Sequence, residues 1–234
     1  SSRRRHTRLL TVTGVQTCAL PISIGAIGVN HLRELVTATS VISRFGTVPQ
    51  DIVSVDSFWR HSVAVGLAAR LLASARKDLV IENYFIAGVL HDIGRLVMLQ
   101  KMPESYRKVI ERCRTSNEML FNVEREIFGY DHADVGATLL QHWNLSQMLV
   151  EAVASHHNPQ SAERHPMFAA ITHIADILAH ALQLGANGER HVPRLSPGAW
   201  TRFGMQPAVL PTVMDQLDSQ YREMVELIVG PNPK

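Results

Sequence analysis

The residues best suited to chemistry are an adjacent histidine and aspartate, His91 and Asp92, within the apolar segment Phe85-Ile-Ala-Gly-Val-Leu-His-Asp-Ile-Gly-Arg-Leu-Val-Met98. A helical apolar segment of this kind is typical of a protein core, so both side chains are expected to be buried. Burying an imidazole beside a carboxylate is unfavourable unless a partner compensates, and a divalent cation is one such partner. Two interpretations are open: a metal-ligating pair, or a local cap beside a hydrogen-bonded core histidine.

Histidine is abundant in this chain, with 12 in 234 residues, and it is the commonest metal ligand. Several histidines and one aspartate begin, end or flank the apolar faces of predicted helices. Helix bundles build metal sites from ligands on facing helices, so these residues favour a shared metal site. A buried His-Asp hydrogen-bond network without metal is the alternative. The candidate metal ligands are His61, His91, Asp92, His132, His156, His157 and Asp176.

The candidate ligands are imidazoles and carboxylates without a thiolate, a set that suits Fe, Mn, Zn or Ni rather than a soft metal. If two ions bind, Asp92 is placed to bridge them, and an activated water between them would be a nucleophile for a phosphodiester. Arg95, one turn further on, could hold a phosphate oxygen. The alternative for Arg95 is a solvated helix charge. The remaining histidines are expected at the surface or around the site: His6, His31, His142, His165, His173, His180 and His191.

Apolar residues recur at helical spacing along most of the chain, and no segment alternates as a strand does. The central helix is predicted over Glu82 to Gln100, and Gly94 inside it indicates a close helix contact or a ligand approach. The segment from Gly185 to Pro197, rich in Gly and Pro, is predicted to be a linker or an excursion. The fold class predicted is all-α, a multi-helix bundle. Further helices are predicted around His61, over about 104–114, 117–128 and 168–182, from Asp131 and Ser146, and over 208–229.

The composition argues against nucleic-acid-binding, membrane and disulfide-rich classes of protein. The formal charge is +2, from 23 basic and 21 acidic residues, which gives no argument for a nucleic-acid or membrane surface. No apolar run reaches the roughly 18 residues of a membrane span. The two cysteines, Cys18 and Cys113, form no disulfide framework or thiolate metal motif, so a reducing cytoplasm is expected. The oligomeric state is left open.

Six segments in order closely resemble the HDOD domain, the HD-related output domain of bacterial signalling proteins, within the HD superfamily of metal-dependent phosphohydrolases. The resemblance implies an all-α bundle of HD type in which the seven candidate residues correspond to the metal ligands of that superfamily. It also implies a regulatory module whose partners are signalling proteins or fused regulatory domains. The segments are Ile24–Val36, Phe58–His61, Ala87–Val97, Gly129–Gly136, Trp143–Ser146 and Ala152–Pro159.

One departure bears on activity. HD-GYP cyclic di-GMP phosphodiesterases follow their His-His pair with a Gly-Tyr-Pro loop, whereas His156-His157 leads into Asn158-Pro159-Gln160-Ser161. Two hypotheses follow from the resemblance. The first is a regulatory output module that acts through protein contacts, with or without bound metal. The second is a metal-dependent phosphohydrolase acting on a nucleotide or cyclic dinucleotide, in which Asp92 and Arg95 are catalytic.

The resemblance also predicts a domain organisation. Residues 1–21 are expected to be a non-native or disordered leader, because they match neither the helical pattern nor the family. Residues 22–184 are expected to form the HDOD domain, lacking some of its N-terminal helices. Residues 185–234 are expected to form a linker and a C-terminal helix that packs on the domain.

Overall fold

The computed structural model describes residues 51–116 and 118–230, and the regular structure in these ranges is entirely helical. The predicted all-α fold class is confirmed. The expected leader, residues 1–21, and the first part of the expected HDOD domain, residues 22–50, lie outside the described residues. The α-helices are α1 (Val55–Ala75), α2 (Ile81–Leu90), α3 (Ile93–Lys101), α4 (Pro103–Thr115), α5 (Leu120–Phe128), α6 (His132–His142), α7 (Gln147–Ser155), α8 (Pro166–Ala181), α9 (Pro197–Phe203) and α10 (Val209–Ile228).

Helix α1 is the centre of the bundle and packs against α2, α8 and α10. It begins where the Ser54 hydroxyl accepts a hydrogen bond from the backbone N–H of Ser57 at 3.2 Å, which satisfies one free donor of the first turn. Its contact with α2 is made through glycines, since a Cβ on Gly88 would lie 2.6 Å from the Cα of Gly66. This close approach holds the C-terminal end of α2 against α1.

The central helix is interrupted, which corrects the prediction of one helix over Glu82 to Gln100. Helix α2 ends at Leu90 and α3 begins at Ile93, with Asp92 in a non-helical conformation between them (φ −99°, ψ 8°). The carboxylate of Asp92 makes no capping hydrogen bond to α3, because it points into the bundle instead. The interruption therefore turns His91 and Asp92 together towards one interior point.

Two other features differ from the predictions. Helix α4 begins at Pro103, one residue before its predicted start, at a position where no backbone N–H is needed for a hydrogen bond within the helix. The predicted linker is followed directly by α9, which begins at Pro197 and was not predicted. The last helix, α10, forms as expected and packs on α1. None of the helices within 51–116 and 118–230 combines the length and apolar character needed to cross a membrane.

Candidate metal centre

The predicted ligands form one buried cluster inside the bundle, although they come from five separate parts of the chain. All of them are buried except His157, which is half-buried. Their nitrogen and oxygen atoms form overlapping groups in which every atom lies within 4.8 Å of the others. Metal binding by these residues stays a prediction. The groups are Asp92 with His132, His156 and His157; His61 with His91 and Asp92; and His61 with Asp176 and His180.

The carboxylate of Asp92 lies at the middle of the cluster. Its Oδ1 is 3.1 Å from Nε2 of His132 and 3.6 Å from Nε2 of His156, while its Oδ2 is 3.3 Å from Nε2 of His91. Nε2 of His157 completes this side at 2.8 Å from Nε2 of His132. Asp92 thus belongs to two of the groups, as a bridging ligand would.

A second carboxylate, Asp176 on α8, faces the cluster from the opposite side. Its Oδ1 is 3.1 Å from Nε2 of His61, 3.3 Å from Nε2 of His180 and 3.6 Å from Nε2 of His91. His91 therefore contacts both carboxylates. His180, which sequence reasoning placed at the surface or around the site, lies in the cluster one helical turn after Asp176.

Backbone carbonyls orient two of the imidazoles for metal binding. Nδ1 of His91 donates to the carbonyl of Gly88, and Nδ1 of His156 donates to that of Val153, each at 2.7 Å. A carbonyl oxygen only accepts, so Nδ1 carries a hydrogen, and in the neutral imidazole, which is the form that binds a metal, Nε2 presents a lone pair to the interior. Both Nε2 atoms and Oδ1 of Asp92 are buried without a hydrogen-bond partner. Such atoms are costly to bury unless a cation binds them, so the donor set fits a divalent metal.

Glu124 on α5 supports the third imidazole and was missed by sequence reasoning. Its Oε2 accepts from Nδ1 of His132 at 2.6 Å and from the backbone N–H of the same residue at 2.9 Å, while Oε1 accepts from the Tyr106 hydroxyl at 2.6 Å. A carboxylate behind a ligating histidine fixes its tautomer and raises its basicity. The sequence did contain a sign of this role: Glu124 lies four residues after Leu120, on the apolar face of α5, where a carboxylate needs a partner.

Arg95 is buried, only 2% exposed, so its interpretation as a solvated helix charge is wrong. Its Nε lies 3.3 Å from Oδ1 of Asp92, and its Nη1 donates to the backbone carbonyl of Asn187 at 3.1 Å. The guanidinium thus stabilises the charge of Asp92 and connects α3 to a distant loop.

The predicted linker after α8 is part of the site. Asn187, 2% exposed, donates from Nδ2 to Oδ2 of Asp92 at 2.6 Å. Glu189 anchors the same loop by accepting from the backbone N–H of Leu120 at 2.7 Å. The loop approaches closely because Gly185 has a positive φ of 73° and a Cβ there would lie 2.3 Å from the backbone nitrogen of His61. The sequence of the loop did not predict this contact, because Gly and Pro indicate that a loop forms but not where it packs.

Burial and the neighbouring charges raise the pKa of some histidines in the cluster and lower the pKa of others. Burial raises the pKa of Asp92, but the neighbouring charges of Arg95 and His91 outweigh it and hold that pKa well below its usual range. Burial lowers the pKa of His91, but the charge of Asp92 raises it to about 10. The pKa of His132 is raised to about 9, since its carboxylate partners outweigh burial and Arg95. Burial is the main reason for the lowered pKa of His156, His157 and His180.

The remaining histidines among the described residues lie outside the cluster. His142 is exposed, as predicted. His173 is buried behind the site, where Nδ1 donates to the backbone carbonyl of His156 at 2.7 Å and Nε2 accepts from the backbone N–H of Ser196 at 3.0 Å. Both of its ring nitrogens are therefore occupied. His6 and His31 lie outside the described residues.

A sequence profile of the HDOD domain matches residues 15–159, more than half of the chain. The chain belongs to the HDOD domain family. The matched range of this HDOD domain includes the candidate ligands from His61 to His157. The carboxylate of Asp176, the imidazole of His180 and the amide of Asn187 lie beyond it.

One curated protein is similar to this chain in sequence. An uncharacterized protein of Treponema pallidum (strain Nichols) is 28% identical over 138 residues, which are 58% of this chain and 27% of that protein. The HDOD chain thus matches about a quarter of the length of this relative.

Two solved structures are similar in fold. An HDOD domain protein of unknown function from Geobacter sulfurreducens has a TM-score of 0.75 and 21% identity, covering 89% of this chain and 73% of that one. A protein from Shewanella amazonensis SB2B, provisionally assigned as a phosphohydrolase, has a TM-score of 0.69 and 24% identity, covering 88% of this chain and 74% of that one. At these identities the likeness establishes the helical HDOD architecture.

Proposed function

We propose that this chain is a metal-binding regulatory module of bacterial signalling, which acts in the cytoplasm through contacts with signalling proteins or fused regulatory domains. One or two ions of Fe, Mn or Zn are held by the seven ligands predicted from the sequence. The metal stabilises the arrangement of the helices around it. The module transmits a signal through its surface and does not turn over a substrate.

One observation carries this proposal: the carboxylate that would bridge two ions and the arginine that would bind a phosphate are both buried and already have internal partners. Asp92 and Arg95 are 0% and 2% exposed. Asn187 contacts both, with its amide on the carboxylate of Asp92 and its backbone carbonyl on the guanidinium of Arg95. A phosphodiester needs a free cationic donor beside the metal, and Arg95 is committed to internal partners.

The donor set supports the metal part of the proposal. His61, His91 and Asp92 form one group that could hold an ion, and Asp176 would join it through an Oδ1 that lies 3.1 Å from His61 and 3.6 Å from His91. Asp92 with His132, His156 and His157 would hold another ion. Imidazole and carboxylate ligands bind Fe, Mn or Zn at about 2.0–2.2 Å, which is compatible with donor atoms this close together. A bound ion would compensate the buried lone pairs of His91 and His156.

A metal-dependent phosphohydrolase is the second candidate, and the shared position of Asp92 favours it. Two ions held with the help of Asp92 would polarise a phosphoryl oxygen and lower the pKa of a water molecule, which is the chemistry that phosphodiester hydrolysis needs. Arg95 would bind the phosphate only after releasing the carbonyl of Asn187. On this account, removing the loop contact increases turnover.

The two functions are separated by assaying metal-loaded wild type, Asp92→Ala and Asn187→Ala with bis(p-nitrophenyl) phosphate and cyclic di-GMP. If the chain is a regulatory module, wild type and Asn187→Ala should show no more turnover than Asp92→Ala. Turnover by wild type that disappears in Asp92→Ala, and rises in Asn187→Ala, would establish the enzyme instead.

The partner half of the proposal needs its own measurement. Wild type and Asp92→Ala, both first shown to be folded, are expressed in the native host and crosslinked to their neighbours. The proposal predicts the same crosslinked signalling protein for both variants, because Asp92 is buried away from the surface. Recovery of no signalling protein with wild type would contradict it.

A further inference from the structure

Three imidazoles converge on a single oxygen of Asp176. Nε2 of His61, His180 and His91 lie 3.1, 3.3 and 3.6 Å from its Oδ1. A carboxylate oxygen has two lone pairs, so it accepts hydrogen bonds from at most two of these rings. In a network of hydrogen bonds alone, one of the three rings must therefore bond elsewhere, and His91 has Oδ2 of Asp92 at 3.3 Å.

His180 is the ring that a hydrogen-bond network explains least. The amide nitrogen of Asn187 lies 3.4 Å from Nε2 of His180, and an amide N–H can only donate. For that contact to be favourable, Nε2 must present a lone pair. The same lone pair then faces the negative oxygen of Asp176, which is repulsive unless a cation lies between them.

The geometry of the helices favours a shared cation. Asp176 and His180 are four residues apart on α8, so their side chains lie on the same face one turn from each other. His61 projects from the facing helix α1, with its ring centroid 4.5 Å from that of His180. Two ligands at this spacing on one helix and a third from a neighbouring helix are a recurrent way to build a metal site.

We propose that His180 is a metal ligand, which together with His61 and Asp176 holds a divalent cation on the α8 side of the cluster. This inference rests on the proposed metal binding and adds a ligand that the family resemblance does not include. It also places the cation next to Asn187, so that the loop after α8 forms one wall of the site.

The test is a titration of the metal-free protein with Zn²⁺ in competition with a chromophoric chelator, and with Co²⁺, whose visible spectrum reports the ligand number. His180→Ala is expected to bind the α8-side ion at least about tenfold more weakly, since even residues behind the ligands change affinity by roughly 10–100-fold. The Co²⁺ spectrum is expected to shift with the lost ligand. His142→Ala, an exposed histidine, is the matched control and should bind as wild type does.

A purely structural role for His180 is separated by two further readouts. The melting temperature of His180→Ala without metal should stay close to that of wild type, while the rise caused by added Zn²⁺ becomes smaller. His180→Asp, which keeps a ligand oxygen, should recover part of the lost affinity. If His180→Ala binds Zn²⁺ as wild type does, or if it loses stability equally with and without metal, the inference is wrong.

Failure of the inference differs from failure of the proposed metal centre. His91→Ala removes a ligand that the centre requires, so it is measured in the same titration. Loss of binding in His91→Ala together with unchanged binding in His180→Ala leaves the centre intact and excludes His180 as a ligand. Unchanged binding in both variants overturns the metal centre itself.

Discussion

The side-chain amide of Asn187 donates a 2.6 Å hydrogen bond to Oδ2 of Asp92, across 95 residues of sequence. The backbone carbonyl of Asn187 also accepts from Arg95. One loop residue is thus bound to the charged pair at the centre of the cluster. The loop after α8 is therefore part of the candidate site. Its position depends on the hydrogen bond that Asn187 makes to the carboxylate of Asp92.

Replacing Asn187 with Ala should detach this loop from the cluster. A hydrogen bond to a buried charge contributes about 2 kcal/mol, so the melting temperature should fall by roughly 4–8 °C for a chain of this size. Amide hydrogen exchange should increase across 185–191. The exposed Asn158→Ala is the control, and equal exchange in both variants would contradict the coupling.

Glu124→Gln should weaken metal binding without removing a ligand. The carboxylate behind His132 raises the basicity of that imidazole, and loss of such a partner lowers metal affinity by roughly 10–100-fold. Competition with a chelator measures the change. Glu126→Gln, on the same helix but in a surface ion pair with Arg112, should leave the affinity as it is. An unchanged affinity in Glu124→Gln would mean that His132 is not a ligand.

The sequence predicted the composition of the cluster better than its surroundings. Histidines on apolar helix faces, such as His61 and His132, are informative because burial of an imidazole needs a partner. The interruption at Asp92 was not predictable, because the apolar pattern continues through it and only the tertiary environment draws the carboxylate inward. Asn187 and Glu189 are ordinary loop residues, and their role depends on where the loop packs.

Stability of the metal-free protein should decrease as the pH rises through about 9–10. His91 and His132 have a pKa of about 10 and about 9 in the folded state, above the 6.5 of the unfolded chain. Their protonated forms therefore stabilise the fold fully below about pH 6.5, and this contribution is lost as they deprotonate at higher pH. Urea unfolding from pH 6 to 10 measures the decrease. His91→Gln should flatten it, and an equally steep curve in that variant would exclude His91 as its source.

Gly94→Ala should unfold or severely destabilise the protein. A Cβ at this position would lie 2.0 Å from the backbone carbonyl oxygen of His132, so α3 and α6 would have to separate. Overpacking of this kind typically costs about 1–3 kcal/mol and more where backbone must move. The structure confirms the close helix contact predicted from Gly94. Gly198→Ala is the control, because its Cβ would meet only the flexible side chain of Gln160. Equal melting temperatures for the two variants would contradict this packing.

The metal content of the purified protein distinguishes a metal centre from a metal-free cluster of hydrogen-bonded side chains. The untagged protein is purified without chelators and analysed for Fe, Mn and Zn beside His91→Ala, with circular dichroism as the check on folding. The proposed centre predicts about one or two equivalents in wild type and a clear loss in a folded His91→Ala. Wild-type protein that contains no metal, and binds none when it is titrated with all three ions, would show that the cluster is a metal-free hydrogen-bond network.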